Sequence, residues 1–314
     1  MDGSIIIQII LLIVGFVFLI KGSDFFVDGS SSIASLLKIP TIIVGLTIVA
    51  FGTSAPEAAV SITSSLAGNN AMAVSNVIGS NLFNMLMVIG VSALLGDLLM
   101  EKSVLNKDLP FLVAITVLFA AFILIGWNIT SIEGIILLAI LIAYILYLIR
   151  SSKKSKDANK VEKAKLSLPM SIIFIVVGLA GIIIGGDLVV KSASSIAMAL
   201  GMSETLVGLT IVAIGTSLPE FVTSITALKK GENQLVIGNV IGSNIFNILF
   251  VLGASSAISE IPLDSSMLID VVFMIAVTIL CFIFGKTQEK YDKKEGIILV
   301  ALFIGYMAFA ILRN

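Results

Sequence analysis

The sequence predicts an all-α polytopic membrane protein with ten transmembrane helices, arranged as two inverted five-helix repeats. Three observations predict this fold class. Of 314 residues, 58% are hydrophobic and only 12% are charged, whereas soluble globular chains are about half apolar and a quarter charged. Apolar runs long enough to span a bilayer, about 20 residues each, recur ten times. Finally, the two halves of the chain share sequence motifs at a fixed spacing.

The ten predicted spans are bounded by charges, loops and Gly/Asn/Pro clusters. They lie near 5–37, 40–67, 71–95, 109–125, 130–149, 169–200, 203–228, 234–258, 266–285 and 295–312. The first run has no positive n-region and no small-residue cleavage pattern, so we interpret it as a retained helix and not as a signal peptide. The first and sixth runs are long and contain charges, which predicts tilted helices whose charges pair at i, i+3 or i+4.

Lysine and arginine select one orientation for these spans. With the N-terminus outside, the outward loops 68–70, 126–129, 201–203 and 259–265 contain neither residue, and the inward segments hold all but three of the nineteen positive residues. The three exceptions are Lys21, Lys191 and Arg313. The positive-inside rule therefore predicts a multi-pass protein of the cell membrane with both termini outside.

The one long hydrophilic segment separates the two halves. We divide the chain into a first repeat (1–150), a basic cytoplasmic linker (151–168) and a second, inverted repeat (169–314). The linker is interpreted as a solvated segment that fixes orientation, and a contact with anionic lipid headgroups is the alternative. The composition gives no indication of nucleic-acid binding, and no obligate protein partner is evident.

The repeat has a constant offset of 163 residues. The segment VGLTIVAFGTSAPE, which begins at Val44, recurs as VGLTIVAIGTSLPE from Val207, with twelve of fourteen residues identical. NVIGSN, which begins at Asn76, recurs unchanged from Asn239. Because each half holds five spans, the second copy enters the membrane from the opposite side. Inverted repeats place their substrate near the bilayer midplane, on interrupted helices.

Composition excludes several kinds of site. The chain has no histidine and one cysteine, Cys281 in an apolar run, so catalytic triads, imidazole metal sites and internal disulfides are excluded. Any ion site must be built from oxygen. We therefore predict a protein that is not an enzyme and that needs no cofactor.

The repeated motif combines a carboxylate with a proline inside an apolar run. An unpaired charged glutamate in a membrane costs at least ~2.5 kcal/mol, and no lysine or arginine lies in spans two, three, seven or eight to neutralise Glu57 or Glu220. Pro56 has no N–H and clashes with the carbonyl of the residue four positions earlier, so we expect carbonyls near Ala50 to Thr53, and their counterparts in the second half, to be freed. Carboxylates, hydroxyls and carbonyls are the oxygens that sodium and calcium bind.

The third span of each half adds further polar groups. Ser80 and Asn84 lie four residues apart and face the same way on a helix, and Ser243 and Asn247 repeat them. Small polar residues of this kind also serve close helix packing, and the asparagines that begin NVIGSN could be interhelical hydrogen-bond donors alone. Two carboxylates carry a charge of −2, which one calcium ion neutralises. Two buried like charges also attract protons, so we expect protons to compete with cations.

These motifs closely resemble the two alpha-repeats of the sodium/calcium exchangers, within the cation/calcium antiporter superfamily. GTSAPE and GTSLPE are each followed by NVIGSNLFN or NVIGSNIFN, the resemblance covers nearly the whole chain, and the short linker resembles compact prokaryotic or archaeal members. The resemblance implies an antiporter that exports calcium by inward sodium flow, with about three sodium ions per calcium, by alternating access.

The resemblance also assigns roles to residues. It implies that Glu57 and Glu220 bind calcium and share the sodium sites. Some relatives have an aspartate where this chain has the neutral Asn247. That neutral amide suggests that potassium is not needed. The remaining positions that match family ligands are Thr53, Thr216, Ser54, Ser217, Ser80, Ser243, Asn84, Asn247 and the carbonyl donors Ala50 and Ala213.

Three alternatives remain open at the level of sequence. A calcium/proton antiporter of the same superfamily usually has a Gly-Asn-x-x-Glu pattern where this chain has GTSxPE. An intramembrane aspartyl protease also uses two membrane carboxylates, but the acids here are glutamates, and the segment that ends at Asp187 lacks the first glycine of GxGD. A cation channel is the third, against which the inverted repeat argues.

Overall fold

The computed structural model is built almost entirely of helices. It describes residues 3–152, 164–202, 207, 210–211, 213–262 and 266–313. The first half contains α1 (Gly3–Leu37), α2 (Thr41–Val44), π1 (Gly45–Val49), α3 (Ala50–Thr53), α4 (Ala55–Leu66), α5 (Asn70–Phe83), π2 (Asn84–Val88), α6 (Ile89–Leu95), β1 (Leu98–Leu99), π3 (Val104–Asp108), α7 (Leu109–Gly126), β2 (Asn128–Ile129) and α8 (Ser131–Ser152).

The described elements of the second half follow a similar order. They are α9 (Leu168–Ala199), α10 (Ala213–Gly215), α11 (Leu218–Lys229), α12 (Asn233–Phe246), π4 (Asn247–Leu252), α13 (Gly253–Ile258), β3 (Ile261–Pro262), α14 (Ser266–Gln288), β4 (Lys290–Tyr291) and α15 (Lys293–Arg313).

The predicted fold class is confirmed. Within the described residues, eight helices are long and apolar enough to cross a membrane, and a bent pair makes a ninth candidate span. The predicted span 203–228 is described only in part, since 203–206, 208–209 and 212 lie outside the described residues. Most of the predicted linker, 153–163, also lies outside them, so the division into 1–150, 151–168 and 169–314 stays a prediction.

The second span of the first half is broken at the repeated motif. Helices spanning Thr41–Thr53 and Ala55–Leu66 meet at 48°, and Ser54 between them has φ −82° and ψ 5°. Pro56 is tolerated in the first turn of α4, where a backbone N–H has no helical partner. Ser217 has nearly the same conformation, φ −93° and ψ 4°, and also precedes a proline in the first turn of its helix.

The two long helices, α1 and α9, pack against each other in antiparallel orientation. A Cβ on Gly15 would lie 3.0 Å from the carbonyl oxygen of Gly185, and a Cβ on Gly22 would lie 2.8 Å from that of Gly178. Only glycine allows two membrane helices to approach this closely. These contacts pack α1 and α9, the first helices of the two repeats, tightly against each other.

The predicted charge pairs within the long helices are present. Lys21 pairs with Asp24 on α1 at 3.8 Å, and Lys191 pairs with Asp187 on α9 at 2.8 Å. An additional pairing ties α1 to the second repeat, because Lys230, just after α11, lies 3.5 Å from the Asp24 carboxylate. Sequence spacing could not predict this last pair, whose members lie in different halves.

Two short strand pairs connect the halves at the ends of the bundle. β1 pairs with β4 and β2 pairs with β3, both antiparallel. Buried Asp–Tyr hydrogen bonds also repeat: Asp108 accepts from Tyr144 at 2.9 Å, and Asp270 accepts from Tyr306 at 3.1 Å. In these last two spans the offset between the halves is one residue shorter than in the first three, so the predicted constant offset is wrong here.

Candidate functional site

The candidate site lies where the two broken helices meet. Glu57 is the third residue of α4 and Glu220 is the third residue of α11, and both side chains are completely buried. The amino end of a helix carries a partial positive charge that favours a carboxylate. Each break therefore places one acid in the protein interior, at the start of a half-helix.

The carboxylate of Glu57 is held by one hydroxyl from each repeat. Its Oε1 accepts a hydrogen bond from Ser217 at 3.1 Å and from Ser80 at 3.5 Å. Ser217 stands at the break of the second repeat, whereas Ser80 lies on α5 of the first repeat. Closure of this arrangement therefore requires both halves of the chain.

Glu220 has the symmetry-related environment. Its Oε1 accepts a hydrogen bond from Ser54 at 2.9 Å and from Ser243 at 3.4 Å. Ser54 comes from the first repeat and Ser243 from the second. The convergence of the two halves, predicted from the repeat, is thus present down to individual hydroxyl groups.

Four buried oxygens at this place have no hydrogen-bond donor. They are the Oε2 atoms of Glu57 and Glu220 and the Oδ1 atoms of Asn84 and Asn247. A buried acceptor without a donor costs about 1–3 kcal/mol, and more when it is charged. Native proteins rarely leave such atoms unsatisfied without a functional reason. Such oxygens are typical ligands of sodium and calcium ions.

The amide groups of Asn84 and Asn247 are directed by two residues that we did not include among the candidates. Asn84 Nδ2 donates to Asn244 Oδ1, and Asn247 Nδ2 donates to Asn81 Oδ1, each at 3.1 Å. Asn81 and Asn244 are the last residues of the two NVIGSN segments. Their exact repetition was the available signal, although it did not distinguish ligands from supporting residues.

The asparagines that begin NVIGSN act as interhelical bridges. Asn239 Nδ2 donates to the Glu220 carbonyl at 3.2 Å and to Ser224 Oγ at 3.0 Å, while its Oδ1 accepts from Thr53 at 2.9 Å. Asn76 makes the same three bonds, with the Glu57 carbonyl, Ser61 and Thr216. Since these amides are fully used, the interhelical interpretation is the one that the geometry favours for them.

One of the carbonyls expected to be freed by the proline, that of Ala50, is not free in the first repeat. The oxygen of Ala50 accepts the N–H of Ser54 at 3.0 Å, although a carbonyl has a second lone pair. In the second repeat the Ser217 N–H donates instead to Ile214, at 3.1 Å. Ala213 begins α10, directly before that residue. The two breaks therefore differ in backbone hydrogen bonding.

The chemistry of the site is that of a hard-cation site. Among the described residues, no lysine or arginine pairs with either glutamate, and no three His, Cys, Asp or Glu residues form a metal-binding group. Two carboxylates are instead surrounded by neutral hydroxyl and amide oxygens. Such a mixture suits sodium and calcium, and it leaves a formal charge of −2 to be neutralised.

Comparisons with known proteins find relatives that cover nearly the whole chain. The chain is 30% identical to the sodium/calcium exchanger MaX1 of Methanosarcina acetivorans, over 96% of this chain and 98% of that protein. It is 32% identical to the inner membrane protein YrbG of Escherichia coli, over 95% of each. A solved structure of the sodium-calcium exchanger NCX_Mj superposes with a TM-score of 0.87 at 30% identity, covering 97% of this chain and 98% of that one.

The family assignment rests on the whole chain. The family model described as sodium/calcium exchanger protein matches residues 7–150 and 170–312, which include both broken helices and the four oxygens without donors. The chain therefore belongs to the sodium/calcium exchanger protein family.

Proposed function

We propose that the protein is an antiporter that exchanges Na⁺ for Ca²⁺ across the membrane by alternating access. The exchanger family consists of transporters and not of enzymes. The observation that carries the proposal is the set of four buried oxygens without donors, two from each repeat. Their burial in the centre of an inverted repeat supports a site that opens in turn to either side.

The charge of the site supports a coupled exchange. With two carboxylates and neutral neighbours, the site carries −2 when empty and zero with one calcium ion. Three sodium ions would leave it at +1. On this arithmetic an exchange of about three sodium ions for one calcium moves net charge, so we propose that transport is electrogenic.

The ligands in this proposal come in symmetric pairs. Glu57 and Glu220 supply the central carboxylates, and the side-chain oxygens of Asn84 and Asn247 complete the middle of the site. The flanking sodium positions are assigned to the hydroxyl and carbonyl oxygens of Thr53, Thr216, Ser54, Ser217, Ser80, Ser243, Ala50 and Ala213. Ten of these twelve residues are exposed by no more than 1%, namely Ala50, Thr53, Ser54, Glu57, Ser80, Asn84, Ser217, Glu220, Ser243 and Asn247.

Protons are expected to compete with the transported ions. The two carboxylates are the only acidic ligands in this proposal, and a proton on either one removes a charge that calcium needs. Lower pH should therefore weaken calcium binding without abolishing the dependence on sodium. The proposal includes the lipid bilayer but no cofactor and no protein partner.

We also propose the orientation of the chain. Both termini lie outside the cell membrane and the linker 151–168 lies in the cytoplasm, as the distribution of lysine and arginine supports. Each of the two strand pairs joins two loops that this orientation places on the same face of the membrane.

The test is calcium uptake into proteoliposomes loaded with sodium and diluted into sodium-free buffer. We expect calcium uptake that follows the sodium gradient. In Glu57→Gln we expect the rate of uptake to fall at least about tenfold, because one of the two charges on the ligands is removed. Uptake driven by a pH gradient alone would instead favour the calcium/proton antiporter. Calcium flux without any counter-ion would favour a channel.

The sign of the charge movement tests the stoichiometry separately. With three sodium ions leaving for each calcium ion that enters, the liposome interior becomes negative. A membrane potential of the opposite sign would contradict the proposed electrogenic exchange. Full exchange in Glu57→Gln would contradict the assignment of the site.

A further inference from the structure

Four asparagines form a continuous buried layer between the two repeats. This asparagine layer consists of Asn81 and Asn84 from the first repeat and Asn244 and Asn247 from the second, each exposed by no more than 2%. Two of them present oxygens without donors to the candidate site. The side chains of the other two, Asn81 and Asn244, form hydrogen bonds with side chains and backbone carbonyls of the layer.

The orientation of each amide follows from a backbone group that can only accept. Asn244 Nδ2 donates to the carbonyl oxygen of Asn81 at 3.4 Å. Because that oxygen cannot donate, the Asn244 side chain must turn its nitrogen towards it and its own Oδ1 away from it. That Oδ1 is also an acceptor, so Asn84 must turn its nitrogen towards it, which it does at 3.1 Å.

This chain of hydrogen bonds ends at an oxygen atom, Asn84 Oδ1. Once the Asn84 nitrogen is used, its Oδ1 is the atom that remains for the site. The other half of the layer repeats the pattern. Asn81 Nδ2 donates to the Asn244 carbonyl at 3.4 Å, and Asn247 Nδ2 donates to Asn81 Oδ1 at 3.1 Å. Reversal of any one amide would place two oxygens or two amino groups face to face in a buried environment.

We infer that Asn81 and Asn244 are positioning residues that force the side-chain oxygens, and not the amino groups, of Asn247 and Asn84 towards the transported cation. This inference rests on the proposed function and deepens it. An NH₂ group that faced the site would repel a cation, so a neutral amide is a usable ligand only when its direction is fixed. The symmetric layer fixes both directions with two backbone carbonyls.

The first test is Asn244→Leu, which keeps the branched shape of the side chain and removes the acceptor for Asn84. The Asn84 amide can then rotate and turn its nitrogen towards the site. We expect the dissociation constant for ⁴⁵Ca²⁺, measured by equilibrium dialysis of the purified full chain in detergent, to rise about tenfold or more. Thermal unfolding of the same samples verifies that the variant is folded.

A double-mutant cycle separates orientation from packing. A carboxylate has oxygens at both ends and needs no orientation, so the Asn84→Asp background no longer depends on Asn244. With Asn244 intact, one oxygen of the introduced carboxylate faces Asn244 Oδ1, and these two acceptors repel each other. In that background we expect Asn244→Leu to leave the calcium dissociation constant unchanged or to lower it.

The matched control places the same charge on the other amide. Asn247→Asp adds one carboxylate at the symmetry-related position, but Asn84 still requires Asn244 there. We therefore expect Asn244→Leu to retain its penalty of about tenfold or more in the Asn247→Asp background. An equal penalty in all three backgrounds would overturn the inference, and so would the absence of any penalty in the native background.

Failure of the proposed function gives a different result. A protein that binds calcium but does not exchange it for sodium would contradict the antiporter proposal, while the binding cycle would still decide the role of Asn244. A protein that binds no calcium in equilibrium dialysis would contradict both.

Discussion

At the scale of single residues, the two repeats are coupled by one hydroxyl that each gives to the other's glutamate. Ser217 donates to Glu57 at 3.1 Å although it stands at the start of its own helix. Its hydroxyl makes no capping bond there. The bond therefore serves the carboxylate of the opposite repeat and not the local helix.

We predict that Ser217→Ala raises the calcium concentration for half-maximal uptake several-fold. A hydrogen bond to a charged group contributes about 1.5–3 kcal/mol, and its loss leaves Glu57 less well oriented for a cation. Stability should fall by up to about the same amount, because a buried acceptor loses one of its donors, so the calcium concentration for half-maximal uptake is the quantity that separates this variant from its control. Sodium-gradient-driven uptake at varied calcium, together with thermal unfolding, measures both quantities.

Ser61→Ala is the matched control for that variant. Ser61 is buried one turn beyond Glu57 on the same helix, and its Oγ accepts from Asn76 at 2.9 Å. This substitution should lower stability while half-saturation stays within about twofold of the native value, since an unchanged site binds equally well. If the two variants shift calcium affinity equally, the cross-repeat bond has no special role.

The residues that the sequence predicts well are those whose chemistry is unusual for a membrane. A glutamate without a basic partner stands out in an apolar span, and the repeat pairs Glu57 with Glu220 without any structural information. Asn81 and Asn244 do not stand out, because their role depends on which end of an amide faces a carbonyl. That direction is a property of the packed layer and has no signature in composition.

At the scale of helices and strands, the breaks were predictable and the π-helical turns were not. Proline and glycine mark the break at Ser54, which the structure places between α3 and α4. The π-helices that begin at Asn84 and Asn247 follow no helix-breaking residue. Such turns occur often at functional sites, and here both begin at a candidate ligand.

The contact between α12 and π1 gives a prediction at this scale. A Cβ on Gly238 would lie 2.7 Å from the carbonyl oxygen of Ile42 and 2.8 Å from the Cα of Gly45. These are backbone atoms, which cannot rotate away, so Gly238→Ala must separate the two helices. We expect a loss of about 1–3 kcal/mol or more, seen as a lower apparent Tm, together with loss of exchange.

Gly305→Ala is the corresponding control in α15. Gly305 is exposed on its helix, and among the described residues no atom lies within 4 Å of a Cβ built there. Since alanine favours helix by up to about 1 kcal/mol over glycine, this variant should match or exceed the native protein in stability. A native Tm and native exchange in Gly238→Ala would contradict the close contact.

At the scale of the whole molecule, contacts between the halves agree with the predicted sidedness of the loops. β1 pairs with β4, and both lie in loops predicted to face inward; β2 pairs with β3, and both lie in loops predicted to face outward. Asn70, the last residue of one predicted outward loop, donates to the carbonyl of Glu260 in another at 2.8 Å. These contacts group the loops by face, but the distribution of lysine and arginine alone decides which face is cytoplasmic.

The orientation itself is tested by labelling single cysteines. Cys281 is the one cysteine of the chain and its side chain is completely buried, so the native protein should not react and serves as the control. Ala67 and Ser103 are exposed; Ala67 directly precedes the loop 68–70, predicted to lie outside, and Ser103 stands in a loop predicted to lie inside. Because lysine and arginine hold their loops in the cytoplasm during insertion, we expect a membrane-impermeant maleimide to label Ala67→Cys on intact cells and Ser103→Cys only after permeabilisation. The reverse pattern would invert the protein in the membrane and contradict the proposed orientation, while leaving the two-fold site between the repeats unchanged.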